Sequence, residues 1–111
     1  MVLVLPRKDS IERVLWWLIA GTKGGRTRTI MIAALKEMPR NANQLASDLE
    51  LDYKTIRHHL KVLATNGIVT ATGKGYGTTY FLSSDVNESY PLFEEIWKKI
   101  GENKKSKRWG V

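Results

Sequence analysis

The residues best suited to chemistry lie between positions 51 and 65, where lysine, arginine and histidine recur at helical spacing. At about 100° per residue, a helix over 51–63 has two different sides. One side carries the polar side chains of Lys54, Arg57, His58, Lys61 and Thr65. The other side carries Ile56, His59, Leu60 and Leu63. Because no carboxylate occurs between Asp52 and Asp85, the polar side is a cationic surface suited to contact with phosphates.

Catalysis and metal binding find little support in the same stretch. His58 and His59 are adjacent, so on a helix they diverge by about 100° and are poorly placed to bind one metal ion. The absence of cysteine excludes disulfides, thiolate metal ligands and cysteine nucleophiles. No carboxylate pair and no nucleophile beside a base stands out. We therefore expect no enzymatic activity, no catalytic or metal-binding residue and no cofactor.

The cationic helix has predicted boundaries and a predicted neighbour. Asp52 is the expected N-cap, and Asn66-Gly67 is the expected left-handed exit. Residues 41–49 predict a shorter helix, because Asn41 and Gln44 have the spacing of a capping box. Two helices joined by about three residues form a helix-turn-helix, whose second helix enters the major groove of DNA.

A β-hairpin is predicted directly after this pair of helices. Residues 68–72 and 78–82 are rich in β-branched and aromatic side chains, and they flank a glycine-rich tip at 73–77. The tip offers the charge of Lys74 and the ring and hydroxyl of Tyr76 to a nearby DNA backbone. We expect this hairpin to be a wing, with an ordinary hairpin turn as the alternative.

Taken together, these segments resemble the winged-helix repressors of the arsenical-resistance-repressor (ArsR) type, particularly their archaeal relatives. The resemblance rests on Asn43-Gln44-Leu45-Ala46, on residues 51–60, and on Val62-Leu63 followed by residues 66–69. It covers roughly residues 22 to 83. It implies an α+β, mostly α fold: a winged helix-turn-helix with four helices, a two-stranded β wing and a C-terminal helix. It also implies a homodimeric, sequence-specific regulator of transcription that binds double-stranded DNA. That the regulator is a repressor is implied by the resemblance alone.

The expected DNA contacts follow from the cationic helix and the wing. They are Tyr53, Lys54, Thr55, Arg57, His58, Lys61, Lys74 and Tyr76. Arg57 is expected to bond a guanine bidentately, and Lys54 and His58 are expected to reach base edges or phosphates. The residues expected to contact the sugar-phosphate backbone are Tyr53, Lys61, Lys74 and Tyr76. A proton added to His58 near phosphates is expected to strengthen DNA binding at low pH.

The two ends of the chain predict a dimer interface. A first helix over 9–20, capped by Asp9 or Ser10, contains seven consecutive apolar residues, which exceed one buried stripe. A last helix over 90–101 has an apolar stripe of its own. The expected interface residues are Leu15, Trp16, Trp17, Ile19, Phe93, Ile96, Trp97 and Ile100. Two alternatives are that other parts of the same chain cover the tryptophans, or that the first helix lies on a membrane surface.

Composition sets the remaining bounds. A chain of 111 residues suits a single domain over 1–111, and a net charge of +7 suits a polyanionic partner. A basic tail is expected over 102–111. Residues 26–38 predict another helix, with Arg26 and Arg28 in solvent or on DNA backbone. No apolar run reaches the ~20 residues of a membrane span, so we expect a cytoplasmic protein without a membrane partner.

Two other functions remain open at this stage. One is a winged helix that has lost DNA readout and mediates protein assembly through its tryptophan-rich ends. The other is RNA binding by the same cationic face, although the sequence lacks paired aromatic motifs for stacking on RNA bases. Salt dependence separates the first from DNA binding, since phosphate contacts make affinity fall steeply with salt.

Overall fold

The structure is a computed structural model that describes residues 7–21 and 23–104, with side chains described over 11–21 and 23–99. The helices are α1 (Arg7–Ala20), α2 (Gly25–Glu37), α3 (Ala42–Leu49), α4 (Tyr53–Thr65), α5 (Ser84–Glu88) and α6 (Tyr90–Lys104). The strands are β1 (Arg40–Asn41), β2 (Val69–Thr72) and β3 (Thr79–Leu82). Within these described ranges, no helix is long and apolar enough to cross a bilayer.

The helix-turn-helix of α3 and α4 begins and ends where local capping signals place it. Asn41 Oδ1 accepts from the Gln44 amide at 2.7 Å, and Gln44 Oε1 accepts from the Asn41 amide at 2.8 Å. The predicted capping box is confirmed. Asp52 Oδ2 accepts from the Thr55 amide at 3.1 Å, which confirms this N-cap, and α4 begins at the next residue, Tyr53. Such caps satisfy amides that have no partner within the helix.

One hydrophobic core joins α1, α2, α4, α6 and the sheet. It buries the core-facing side of α4, and α1 packs along both α2 and α6. The largest fully buried side chains are Phe93, Leu15, Leu18, Met31, Ile32, Leu45, Ile56, Leu60, Leu63, Ile68, Ile96 and Val86. Burying one side of α4 leaves its cationic side facing outward.

The sheet has three antiparallel strands in the order β1-β3-β2, whereas the sequence predicted two. The wing strands β2 and β3 lie within one residue of their predicted limits and pair Val69 with Leu82. The additional strand β1 pairs Arg40 with Tyr80. It forms because Pro39 ends α2 and the N-cap Asn41 is extended, so this short segment aligns beside β3.

Several predicted helix limits were wrong. α1 begins at Arg7, so Asp9 and Ser10 lie inside it and do not cap it. α2 ends at Glu37, and Met38 lies outside the helix with 55% of its surface exposed. The short helix α5 was not predicted, although Ser83 Oγ caps it by accepting from the Val86 amide at 3.3 Å. α6 continues to Lys104, and residues 105–111 of the predicted basic tail lie outside the described residues.

Candidate nucleic-acid interface

The outward side of α4 presents the polar side chains that the sequence placed there. Its solvent-exposed members are Lys54, Thr55, Arg57, His58, Lys61 and Thr65. Tyr53, the first residue of α4, is partly buried against the core. Since α4 is fixed by its buried side and by its N-cap, these side chains are carried on a rigid element.

Arg57 lies between α4 and the wing. Its Nη1 donates to the Tyr53 hydroxyl at 3.5 Å. This hydrogen bond, together with the neighbouring phenol groups of Tyr53, Tyr80 and Tyr76, raises the pKa of the Arg57 guanidinium. The guanidinium borders a small cleft whose lining residues are Ala42, Asn43, Tyr53, Arg57, Gly75, Tyr76, Thr78 and Tyr80. The cleft therefore joins the first turns of α3 and α4 to the wing.

The wing tip is a tight turn that depends on glycine. Gly73 and Gly75 have φ of 96° and 56°, in the left-handed region that favours glycine. A Cβ on Gly73 would also lie 2.7 Å from the Gly77 carbonyl oxygen. The turn leaves Lys74 exposed and Tyr76 80% exposed, so both side chains are available to a partner.

The core-facing side of α4 contains a buried polar contact. His59, only 7% exposed, has its Nδ1 3.2 Å from Nη1 of Arg28, which is 4% exposed. Arg28 Nε also donates to the Leu18 carbonyl at 2.9 Å, and Nη2 donates to the Lys23 carbonyl at 3.0 Å. Burial lowers the pKa of Arg28, and burial together with the charge of Arg28 and the neighbouring His58 lowers the pKa of His59. This contact joins the α1–α2 corner to the back of α4.

This position of Arg28 corrects the sequence prediction, which placed it in solvent or on DNA. The signal was present, because Arg28 shares a helical stripe with the buried Met31, Ile32 and Leu35. The prediction that His59 faces the core is confirmed. Sequence analysis also missed Asn43 and Tyr80, which line the cleft beside Arg57.

The predicted dimer residues divide into two groups. Leu15, Ile19, Phe93 and Ile96 are buried inside the subunit and are core residues, because they leave no surface for a partner. Trp17 is 54% exposed on α1, while Trp16 and Trp97 are half-buried. The Ile100 side chain lies outside the described residues. Packing of α1 against α6 in the same chain thus covers part of the apolar surface of α1 and leaves Trp17 exposed.

Comparison with known proteins covers the helix-turn-helix part of this interface but not the wing tip. Residues 25–71, somewhat under half of the chain, match the family of bacterial regulatory proteins described as the arsR family. This part of the chain is therefore similar to ArsR-type regulators. This confirms the predicted resemblance, and the prediction that the chain is not an enzyme is confirmed because the family consists of regulatory proteins. No curated protein matches the chain by sequence.

Solved structures of similar fold accompany this ArsR-type match. Rv0081 from M. tuberculosis has 19% identity and a TM-score of 0.62, covering 88% of this chain and 96% of its own. Mb0332 from Mycobacterium bovis has 17% identity and a TM-score of 0.61, covering 92% of each chain. HlyU from Vibrio cholerae has 19% identity and a TM-score of 0.55, covering 89% of this chain and 98% of its own. At these identities the likeness confirms the winged helix-turn-helix fold.

Proposed function

We propose that this protein is a homodimeric, sequence-specific repressor that binds double-stranded DNA through α4 and the wing. The observation that carries the proposal is the outward face of α4, which is cationic, exposed and free of carboxylates. Lys54, Arg57 and Lys61 lie on it, and the exposed Lys74 lies on the adjacent wing. A helix of this kind is the element that a helix-turn-helix places in the major groove.

The distribution of charge supports DNA as the partner more strongly than the net charge does. The segment from Tyr53 to Ser84 contains α4 and the whole wing, and it includes no acidic residue. Of the two carboxylates that flank this segment, Asp52 accepts from the Thr55 amide as a helix cap. A surface of one sign attracts a polyanion and speeds its association. A DNA partner also agrees with a cytoplasmic location.

A dimer is proposed on two grounds. The similar structure of Mb0332 is described as a homodimeric winged helix-turn-helix DNA-binding domain. In this chain, Trp17 presents an exposed aromatic side chain on α1, of the type enriched at interfaces. A two-fold dimer would place its α4 helices about one DNA turn apart, roughly 34 Å, so we propose an inverted-repeat operator.

The proposal is tested by measuring affinity for duplex DNA over a range of salt concentrations. The operator is first selected from random duplexes, and binding is then followed by fluorescence anisotropy. We expect log K to fall linearly with log salt, by about 0.9 for each phosphate contact. Lys74→Ala should weaken binding to operator and random duplex by similar factors, because a phosphate contact does not distinguish bases.

A wild-type protein without salt-dependent affinity for duplex DNA would reject the proposal. That result would favour the alternative of a winged helix that serves only protein assembly. Stronger binding to single-stranded or duplex RNA than to the selected DNA would instead assign the cationic face to RNA.

A further inference from the structure

Arg57 occupies a different part of α4 from the other exposed cations. Successive residues of a helix are rotated by about 100°. The direction opposite the buried stripe of α4 is therefore taken by Lys54, His58 and Lys61. Arg57 lies between that direction and the buried stripe, on the flank of the helix. That flank faces the wing, because Arg57 and Tyr80 of β3 line the same cleft. A second groove also lies between α4 and the wing, and its lining includes Arg57, Lys61 and Ala71 of β2.

The course of DNA through a winged helix determines what Arg57 meets. If α4 lies in the major groove and the wing reaches the adjacent minor groove, one sugar-phosphate backbone must pass between them. The space between them contains the small cleft beside Arg57, whose lining includes Ala42 and Asn43 of α3, and the wider groove bordered by Arg57, Lys61 and Ala71. A side chain in that space therefore faces phosphates, while base edges lie beyond the outward side of α4.

We propose that Arg57 clamps a DNA phosphate between α4 and the wing, that Tyr53 positions it, and that Lys54 and His58 carry the base recognition. This inference rests on the proposed function. It differs from the role in guanine recognition that the sequence favoured, because the structure places Arg57 on the flank of α4 and in contact with Tyr53.

The groups that surround Arg57 suit contact with a phosphate at the surface, since the cleft itself has a volume of only about 10 Å³ and is too small to enclose one. A guanidinium presents two parallel N–H groups to two phosphate oxygens, which a lysine cannot do. Tyr53 accepts from Arg57, so its own O–H remains able to donate to a phosphate oxygen. Tyr76 brings a second hydroxyl from the wing tip, and Asn43 brings an amide from α3.

The decisive experiment compares Arg57→Ala with wild type on a complete panel of duplexes. The panel contains the selected operator, every single-base substitution in one half-site, and a random duplex, each measured at several salt concentrations. We expect Arg57→Ala to weaken all of them by a similar factor, about tenfold or more for a charged hydrogen-bonded contact. The order of preference among bases should stay unchanged. The slope of log K against log salt should decrease by about 0.9 for each Arg57 in the complex.

Two controls make the result specific. Arg13→Ala removes the same charge from an exposed position on α1, and it should change neither the salt slope nor the affinity by more than about twofold. Lys54→Ala, on the outward side of α4, should lower affinity for the operator more than affinity for the random duplex.

Tyr53→Phe tests the positioning role, because it keeps the ring and removes only the hydroxyl. We expect it to weaken binding by several-fold without changing the melting temperature. Its effect should disappear in the Arg57→Ala background, since a positioning residue acts through the side chain that it holds. Additive effects of the two substitutions would overturn the role of Tyr53.

The proposed clamp and the proposed function fail in different ways. Lost preference at one base pair, with an unchanged salt slope, would show that Arg57 recognises a base and would overturn the clamp. An Arg57→Ala protein equal to wild type on every duplex would also overturn it. In both cases the wild type still binds DNA, whereas failure of the proposed function appears as a wild type without salt-dependent DNA affinity.

Discussion

At the scale of single residues, Arg28 determines the protonation state of His59. Arg28 has only hydrogen-bond donors, so the Nδ1 of His59 must accept and cannot carry a proton in this contact. A second proton on the imidazole would place two cations 3.2 Å apart in a buried site. The folded protein therefore holds His59 neutral, and the lowered pKa of His59 expresses this preference.

This arrangement predicts that acid destabilises the fold. An unfolded histidine takes up a proton near pH 6.5, whereas folded His59 takes it up at a lower pH. The contribution of His59 to stability is thus complete above about pH 6.5 and is lost as the pH falls towards the lowered pKa. Within that window the free energy of unfolding should decrease by up to about 1.4 kcal/mol per pH unit for this one group. Urea titrations at several pH values measure it.

The adjacent histidine provides the control for this pH dependence. His58 is exposed, so His58→Gln should retain the decrease in stability below about pH 6.5, whereas His59→Gln should remove it. If the two variants show the same pH dependence of unfolding, the Arg28–His59 contact is not its source.

At the scale of secondary-structure elements, the corner between α1 and α2 is more constrained than a linker. Gly24 has φ of 88°, and a Cβ there would lie 2.8 Å from His59 Cε1. A Cβ on Gly25 would overlap the backbone carbonyl of Ile19. The two glycines let α2 start against the end of α1, which brings the Leu18 and Lys23 carbonyls to Arg28.

Gly25→Ala is therefore expected to destabilise the protein strongly. The clash is with backbone, which cannot move aside as a side-chain end can, so the free energy of unfolding should fall by about 3 kcal/mol, the upper part of the overpacking range. Gly77→Ala is the matched control, because a Cβ there meets nothing within 4 Å. Its effect should stay within about 0.5 kcal/mol. Equal denaturation midpoints for the two variants would contradict this account of the corner.

The same elements show how far sequence alone could go. The helix-turn-helix, its two caps and the wing strands were predictable, because the signals for each lie within a few neighbouring residues. The corner and strand β1 were not, since the carbonyls that receive Arg28 and the pairing of Arg40 with Tyr80 arise only from tertiary contacts. The position of Arg28 on an apolar stripe indicates its burial, but not which groups accept its hydrogen bonds.

The cleft beside Arg57 was partly predictable, because only some of its residues are close together in sequence. The spacing of residues in α4 identified its outward side, but the flank that faces the wing depends on how β3 packs. Tyr80 therefore entered the cleft unpredicted. Apolar spacing in α1 likewise could not separate Leu15, which the subunit buries, from Trp17, which it leaves exposed.

At the scale of the whole molecule, the exposed tryptophan and the cationic face belong to different elements. Trp17 lies on α1, which packs against α6, whereas the cations lie on α4 and the wing. A second copy that covers α1 would therefore leave both α4 helices accessible. This separation allows dimerisation and DNA contact to be tested independently.

Trp17→Lys is expected to weaken the dimer while keeping the fold, and it adds one positive charge to each subunit. A tryptophan anchor at an interface contributes about 2 kcal/mol or more, so the dimer dissociation constant should rise by about 30-fold, as measured by sedimentation equilibrium. Affinity for an inverted-repeat operator should fall with it, whereas affinity for an isolated half-site should stay the same or rise slightly. Met38→Lys also replaces an exposed apolar side chain with lysine and adds the same charge, at an equally exposed position between α2 and β1. It should leave the dimer intact, and a dimer that withstands both substitutions would move the interface away from Trp17.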